Sequence, residues 1–354
     1  MSVHPAGTAT RNSYLDSLEA TWADHLKPRE PNAPTVISTF AGGGGSSLGY
    51  SMAGYRELLA VEWDQNAVDT LRLNFPHVPI YHGDIAKLSV DECLKLAGIK
   101  PGELGVLDGS PPCQGFSTAG KRQIDDPRNS LFREYVRLLR GLKPKAFVME
   151  NVSGMVKGKM KLVFAEILRE LKASGYNVKA RLLNAMYFGV PQSRQRMIFI
   201  GVREDLGIEP SHPKAEGVPV PVGLIASIDM PKMDHSDRVK SLWLRLKPGQ
   251  TGDSLPDSNG NAFGLCKVDP LKPCPTIVKG WTAGSGFVHW KENRFLSIPE
   301  LAQIGSFGLN YAFSGSPADA VRRIGNSVPP LFMRAIAAHV RSEILSRSSS
   351  LQAG

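Results

Sequence analysis

Two prolines followed by a thiol, Pro111-Pro112-Cys113-Gln114, form the segment of this sequence with the plainest chemical content. The prolines stiffen the backbone and fix the direction of the next side chain. That side chain is the sulfur of Cys113, at the predicted end of a strand and the opening of a loop, where it can attack an electrophilic carbon. A carboxyl group, Glu150 in Met149-Glu150-Asn151-Val152, closes another apolar run and is placed to act as an acid. Upstream, Phe40-Ala41-Gly42-Gly43-Gly44-Gly45 ends the first apolar run. Glycines there let backbone amides approach a ligand at the carboxyl end of a strand. A dinucleotide fingerprint would need glycine where Ser47 stands, which disfavours a hydride carrier. Glu62 ends the second apolar run, where an acid can accept both ribose hydroxyls of an adenosyl group. Trp63 is placed either to stack on an adenine or to pack. Asp84 can accept an adenine amino group or serve as a plain turn residue.

Short elements must hold these groups. Apolar runs bounded by turn signals recur at Thr35–Phe40, Glu57–Glu62, Gly105–Asp108, Ala146–Asn151 and Arg196–Val202, each of strand length. Helical spacing falls between them. Ser89 and Glu92 make a capping-box pair, Leu131 to Leu139 repeats with a helical period, and so does Leu162 to Leu171 before Gly175. Strands alternating with helices predict parallel pairing through right-handed crossovers. The fold class is therefore α/β, a doubly wound, mostly parallel, Rossmann-like sheet with helices on both faces. After about Pro210 the regularity gives way to Pro, Gly, Ser and Asp, the mark of a second, smaller, loop-rich domain. Helical signal returns at Ser297–Gln303 and from Pro330 to about Leu345. Residues 1–33 read as a loosely ordered extension with one possible short helix near Ser13–Leu26.

The balance of 42 Lys+Arg against 33 Asp+Glu, a net +9, suits a polyanionic partner. None of the four cysteines lies in a Cys-x-x-Cys pair, and Cys266 and Cys274 have no nearby histidine to complete a zinc site. Cys93, Cys266 and Cys274 read as small buried hydrophobes. No run approaches the roughly 18 apolar residues of a membrane span, and the N-terminus lacks a signal-peptide core. A soluble, cytoplasmic chain with no membrane partner is expected.

Taken together, these segments resemble the DNA (cytosine-5)-methyltransferase family from about Pro34 to Val340. Thr39-Phe40-Ala41-Gly42-Gly43-Gly44 resembles its cofactor loop, Pro111-Pro112-Cys113-Gln114 its nucleophile loop and Glu150-Asn151-Val152 its acid motif. Gln192-Ser193-Arg194-Gln195-Arg196 resembles its Gln-x-Arg-x-Arg motif, and Gly325-Asn326-Ser327-Val328 the segment that completes its cofactor pocket. Each is weak alone; their order and spacing carry the likeness. It implies a sulfur nucleophile at Cys113, Glu150 on the ring nitrogen of a flipped cytosine, Arg196 on its carbonyl, and Arg194 supporting the loop and nearby phosphates. The implied cofactor is S-adenosylmethionine, lined by Phe40, Ala41, Gly42, Gly44, Glu62, Trp63, Asp84, Ile85, Pro112, Asn326, Ser327 and Val328. A thiolate is needed because carbon 5 of cytosine is too weakly nucleophilic until a nucleophile adds at carbon 6. Carbon 6 is reachable only once the base leaves the stack.

The polar loop that follows carries Gln114, Ser117, Lys121, Arg122 and Arg128. The resemblance implies that it closes over double-stranded DNA; the alternative is a merely mobile surface loop. Pro275 to Gly286 resembles a glycine-rich recognition loop, with Lys279, Trp281, Thr282 and Ser285 as candidates for base contacts. Packing is the alternative for Trp281. The implied division is a catalytic domain of residues 34–224 plus 322–346, a target-recognition domain of 225–296, a hinge of 297–321 and a flexible tail of 347–354. Arg294-Phe295-Leu296-Ser297-Ile298-Pro299-Glu300 departs from the family pattern, since Pro299 stands at a basic position. The implied setting is a monomeric bacterial or phage modification enzyme with a possible partner endonuclease. Competing readings are an RNA (cytosine-5) methyltransferase of the same family, a nicotinamide-dependent oxidoreductase, and a DNA-binding module without catalysis.

Overall fold

Alternation along each strand sorts the apolar side chains into two layers, and this builds the architecture. The computed structural model describes residues 2–3, 13–112, 127–156, 160–225, 236–255, 264–280 and 285–348, with the side chains of 2–3, 127–130 and 156 left aside. Its main sheet has the strands β1 (Thr35–Thr39), β2 (Arg56–Glu62), β3 (Ile80–His82), β4 (Val106–Gly109), β5 (Ala146–Val152), β6 (Tyr176–Asn184) and β7 (Gln195–Arg203). Their order across the sheet is β3-β2-β1-β4-β5-β7-β6. Val36, Ala60, Val106, Val148 and Ile200 point into one apolar layer, while Ile37, Leu59, Leu107, Phe147 and Phe199 point into the other. A period of two residues does this without further instruction.

The helices cover both layers. On one face lie α1 (Ser13–Leu26), α2 (Gly45–Met52) and α10 (Pro330–Val340); on the other lie α4 (Val90–Ala97), α5 (Pro127–Leu142) and α6 (Met160–Lys172). Helix α3 (Gln65–Asn74) follows β2, and Asp64 caps it by accepting from the Ala67 amide at 3.0 Å. The Ser89 hydroxyl likewise accepts from the Glu92 amide at 3.1 Å, so α4 begins where the sequence pattern put it.

All five apolar runs are strands, and β1 to β5 pair in parallel. The parallel rule fails at the far edge. Strand β7 runs antiparallel to both β5 and β6. The link from β6 to β7, residues 185–194, holds a short turn at Ala185–Phe188 and a two-residue strand at Gln192–Ser193. That is less chain than the dozen or so residues a parallel crossover takes. Strand β6 forms no continuous apolar run, because at this edge of the sheet Asn177, Lys179 and Arg181 alternate with Tyr176, Val178, Ala180 and Leu182.

The expectation of a loosely ordered N-terminus needs correction over residues 13–33. Helix α1 has the bounds the sequence suggested, and it buries Tyr14, Leu15, Leu18 and Thr21. The Tyr14 hydroxyl donates to the Gln303 carbonyl at 3.0 Å. Apolar residues at 14, 15, 18 and 22 form one stripe of a helix, and the body of the protein supplies a surface for it.

Beyond β7 the chain is loop-rich, as expected. Helix α7 (Asp237–Arg245) and a two-stranded parallel pair, Leu265–Lys267 with Gly286–Val288, meet around a small core of Val239, Leu246, Leu265 and Val288. Lys267 lies over the Trp243 ring, its Nζ 3.6 Å from the centroid. Helices α8 (Ile298–Ile304) and α9 (Pro317–Asn326) then return to the large core. None of the described helices is long and apolar enough to cross a membrane.

The segment that departs from the family pattern at Pro299 holds a buried ion pair. Arg294 donates from both terminal nitrogens to the two Glu300 oxygens at 2.8 Å, and Glu300 also accepts from the Ser297 amide in a capping box. Pro299 sits at the first turn of α8, where a missing N–H costs little. Arg294→Ala is expected to lower stability by about 3–5 kcal/mol, since it leaves the Glu300 carboxylate buried without its partner. Urea unfolding of both proteins measures this.

Candidate active site

The loop after β1 enters a strained path at once. Phe40 has φ +55°, a region that costs a non-glycine residue of order 1–3 kcal/mol, and Gly42 and Gly44 also have positive φ. The Gly42 amide donates to Glu62 Oε2 at 2.7 Å, while the Trp63 and Asp64 amides donate to Oε1 at 2.9 Å. The Glu62 carboxylate is thereby fixed at the mouth of the sheet, and a carboxylate has more acceptor sites than these three bonds fill. Trp63 beside it is 77% exposed, so its ring packs on little and the stacking alternative gains ground.

The loop glycines divide into two kinds. Among the described residues a side-chain carbon on Gly42 would meet nothing closer than 3.9 Å, so they leave open space over this position. At Gly43 it would stand 2.9 Å from Arg323 Cβ, and at Gly44 2.8 Å from Phe75 Cε2. Gly45 is closed off by Ser327 and the Val328 carbonyl. Glycine is thus required at 43–45 by protein packed behind the loop, whereas Gly42 is the open position. Gly44, expected to line the cofactor, has Tyr311, Phe75 and Leu71 packed where a side chain would stand. Ser327 and Val328 are buried behind the loop, and Asn326 is exposed.

Two connections were not anticipated. The Tyr311 hydroxyl donates to the Gly43 carbonyl. Arg323, 5% exposed at its side chain, pairs with Asp64 at 3.2 Å and ties α9 to the turn after Glu62. Sequence spacing offers no sign of either, because the partners are more than two hundred residues apart. Asp84 is exposed and accepts from the Ala86 amide at 3.0 Å, the turn role named as its alternative, and Ile85 is buried below it.

A second cluster forms where β4 and β5 end and the antiparallel β7 begins. Glu150 on β5 sits beside Arg196 on β7, with Oε1 2.6 Å from Nε in an ion pair whose N–H is turned off the hydrogen-bond line. Both side chains keep a small exposed fraction, 12% and 14%, so a ligand can still reach them. Asn151 faces the opposite way and donates to the Pro111 carbonyl at 3.1 Å. The acid motif therefore holds the proline pair that precedes Cys113, a role the sequence reading did not assign to Asn151. Pro112 is exposed at the end of this segment.

Arg194 departs from its expected place. It is 3% exposed, and it donates to the Ile277 carbonyl at 3.1 Å and the Gly325 carbonyl at 3.0 Å. Burial, with Arg196 nearby, lowers its pKa to about 9. A guanidinium locked onto two carbonyls inside the protein clamps three segments together and does not reach phosphate. Gln192 reinforces this join by accepting from the Ile277 amide at 3.2 Å, and Thr276 donates to the Ser193 carbonyl at 2.7 Å. The chain leaves this anchor at Val278 and Lys279, both exposed. Ser285 is half-buried where the candidate recognition loop ends. Cys113, Gln114, Ser117, Lys121, Arg122, Trp281 and Thr282 lie outside the described residues, as does the Arg128 side chain.

Beneath α2 lie two carboxyl groups the sequence reading did not single out. Tyr50 donates to Asp108 Oδ1 at 3.3 Å, and Ser47 donates to Glu57 Oε1 at 2.9 Å. Burial first, then the charge of Glu57, pushes Asp108 up to about 8, and burial raises Glu57 to about 7. Both values exceed the unfolded ones near 4. The stability they contribute is complete below that value and is lost as pH rises through about 7 to 8. Asp108→Asn keeps the acceptor for Tyr50 and removes the titration. The variant should therefore show a flatter fall in Tm from about pH 6 to pH 9 than the parent. An unchanged slope would assign the fall to other groups.

Comparison with known proteins adds a separate line of observation. The family profile described as C-5 cytosine-specific DNA methylase matches residues 34–245 and 250–342. The Type II methyltransferase M1.HphI of Haemophilus parahaemolyticus is 35% identical over 322 residues, covering 86% of this chain and 85% of the relative. The crystal structure of a proposed DNA modification methyltransferase encoded within prophage Cp of E. coli superposes with a TM-score of 0.74 at 25% identity, covering 89% of this chain and all of the other. The Spodoptera frugiperda DNMT2 structure, at 20% identity and TM-score 0.63, covers 90% of this chain and shares the fold.

Proposed function

The chain belongs to the C-5 cytosine-specific DNA methylase family, and we propose that this DNA (cytosine-5)-methyltransferase works through Cys113, Glu150 and Arg196 on a cytosine turned out of the duplex. The Cys113 thiolate adds to carbon 6, forming a carbon–sulfur bond and moving electron density to carbon 5. Glu150 donates a proton or hydrogen bond to ring nitrogen 3, which carries the charge that develops on addition. Arg196 holds the ring carbonyl, and its ion pair with Glu150 orients both groups. Once carbon 5 is methylated, a base removes its proton, the carbon–sulfur bond breaks and the thiolate returns. The observation that supports this reading best is the join at Asn151, which ties the strand bearing Glu150 to the proline pair before Cys113.

The residues around the glycine loop fit S-adenosylmethionine. Glu62 suits the ribose hydroxyls, the exposed Trp63 face suits an adenine, and the open position over Gly42 leaves room for the ligand. Phe40, Ala41, Asp84, Ile85, Pro112 and Asn326 complete the proposed surround. When bound, this cofactor supplies an electrophilic methyl group. The polar loop of Gln114, Ser117, Lys121, Arg122 and Arg128 closes over DNA, and residues 225–296, with Lys279, Trp281, Thr282 and Ser285, read the target. Residues 297–321 serve as the hinge, and residues 34–224 with 322–346 form the catalytic domain. One active site suffices for one cytosine, so the enzyme acts as a cytoplasmic, DNA-associated monomer, in a modification system that can include a cognate endonuclease.

Base-resolution methylation mapping of DNA from cells expressing the chain tests the reaction and reads out the target together. Methylcytosine confined to one short sequence is the expected result. Methylation of RNA with none on DNA would favour the RNA branch of the family.

A further inference from the structure

Helix α1 precedes the family match, which begins at residue 34, yet it stands directly behind the glycine loop. Trp22 meets Tyr311 edge-on with ring centroids 6.2 Å apart, and the Tyr311 hydroxyl in turn donates to the Gly43 carbonyl. His25 meets Phe75 edge-on at 5.2 Å, and Phe75 fills the space next to Gly44. Phe75 and Tyr311 also contact each other at 6.4 Å. Two chains of contact therefore run from one face of α1 to two consecutive loop residues.

Polar ties hold the helix in place. His25 Nδ1 lies 2.7 Å from Ser51 Oγ on α2. Arg29 donates to the Ser51 carbonyl at 2.7 Å and to the Tyr55 carbonyl at 3.1 Å. These reach the helix that begins at the glycine loop and the turn that leads into β2.

We infer that α1 is a positioning element for the methyl-donor site, with Trp22 and His25 holding Tyr311 and Phe75 against Gly43 and Gly44. This rests on the reading of the glycine loop as the S-adenosylmethionine site. The loop is open only on the Gly42 side and is closed by packed side chains at 43–45. Its backbone amides are therefore aimed by whatever stands behind them, and aromatic rings leave little slack. Loss of the Trp22 ring lets Tyr311 shift, and the Gly43 carbonyl moves with it. Misplacement of a binding group by about 1 Å can cost on the order of a hundredfold, so a tenfold effect from one ring two contacts away is a reasonable scale.

The test uses the full chain with Trp22→Ala, Trp22→Leu and Tyr311→Phe. Calorimetry gives the Kd for S-adenosylhomocysteine well below each variant's Tm, and gel shift gives the Kd for duplex DNA. Trp22→Ala should raise the S-adenosylhomocysteine Kd about tenfold with DNA affinity unchanged. Tyr311→Phe should do likewise, and the double variant Trp22→Ala with Tyr311→Phe should add little, because both act through one contact. A role confined to stability would lower Tm and leave the Kd alone, and that result overturns the inference. Should Trp22→Ala not fold, Trp22→Leu decides by the same criterion, since it keeps an apolar body on the helix. A parent protein that binds no S-adenosylhomocysteine would remove the donor reading itself, and this inference with it.

Discussion

Cys113→Ala is expected to bind duplex DNA as the parent does and to transfer methyl groups at least about 10⁴-fold more slowly, a loss typical of removing a covalent nucleophile. The size follows from the substrate. Carbon 5 of cytosine does not attack an electrophilic methyl at a useful rate until carbon 6 has been substituted. A serine hydroxyl is no replacement, because at neutral pH it has almost no anion, whereas a thiol has an appreciable fraction. Cys113→Ser should therefore fall with Cys113→Ala. Incorporation of labelled methyl into DNA measures transfer, and gel shift measures binding. Duplex carrying 5-fluorocytosine at the target should become covalently attached to the parent and to neither variant. If Cys113→Ala methylates at a tenth of the parental rate or better, a covalent path through this sulfur is wrong.

Glu150→Gln should lower kcat about 10²–10⁴-fold, the usual contribution of a positioned acid, and leave affinity for S-adenosylhomocysteine unchanged. Glutamine keeps the shape and can still hydrogen-bond, but it brings neither the proton nor the charge that faces Arg196 at 2.6 Å. The effect belongs to the addition step, so covalent capture of 5-fluorocytosine should slow by the same factor as turnover. Slow turnover with fast capture would move Glu150 out of addition and into proton removal. Arg196→Lys is expected to fare nearly as badly, because a point charge cannot engage a carboxylate and a ring carbonyl as a planar guanidinium does.

The two effects concern groups that the sequence displayed openly. Pro111-Pro112-Cys113 and Met149-Glu150-Asn151 are contiguous words, and each follows an apolar run of strand length. Strand ends on a parallel sheet open on one side, so order along the chain nearly implies a shared site. The five apolar runs and the caps at Ser89 and Ser297 were legible for the same reason: local spacing and local hydrogen bonds decide them.

What the sequence by itself determined was therefore the kind of site and the strands that carry it. The tertiary structure decided which side of each residue faces the ligand. Arg194, expected to support a loop and nearby phosphates, is a buried clamp on the Ile277 and Gly325 carbonyls. Gly44 reads like a cofactor glycine, and the tertiary structure adds that Tyr311, Phe75 and Leu71 leave no room for a side chain there. The extension ahead of residue 34 reads as loose, and residues 13–26 are a docked helix. The antiparallel turn of β7 also escaped the sequence, since it depends on the length of a connection and not on the strand. Each of these depends on partners far away in the chain. A contact between residues 43 and 311, or 64 and 323, leaves no periodicity in either segment and comes into being only when the sheet and its helices close.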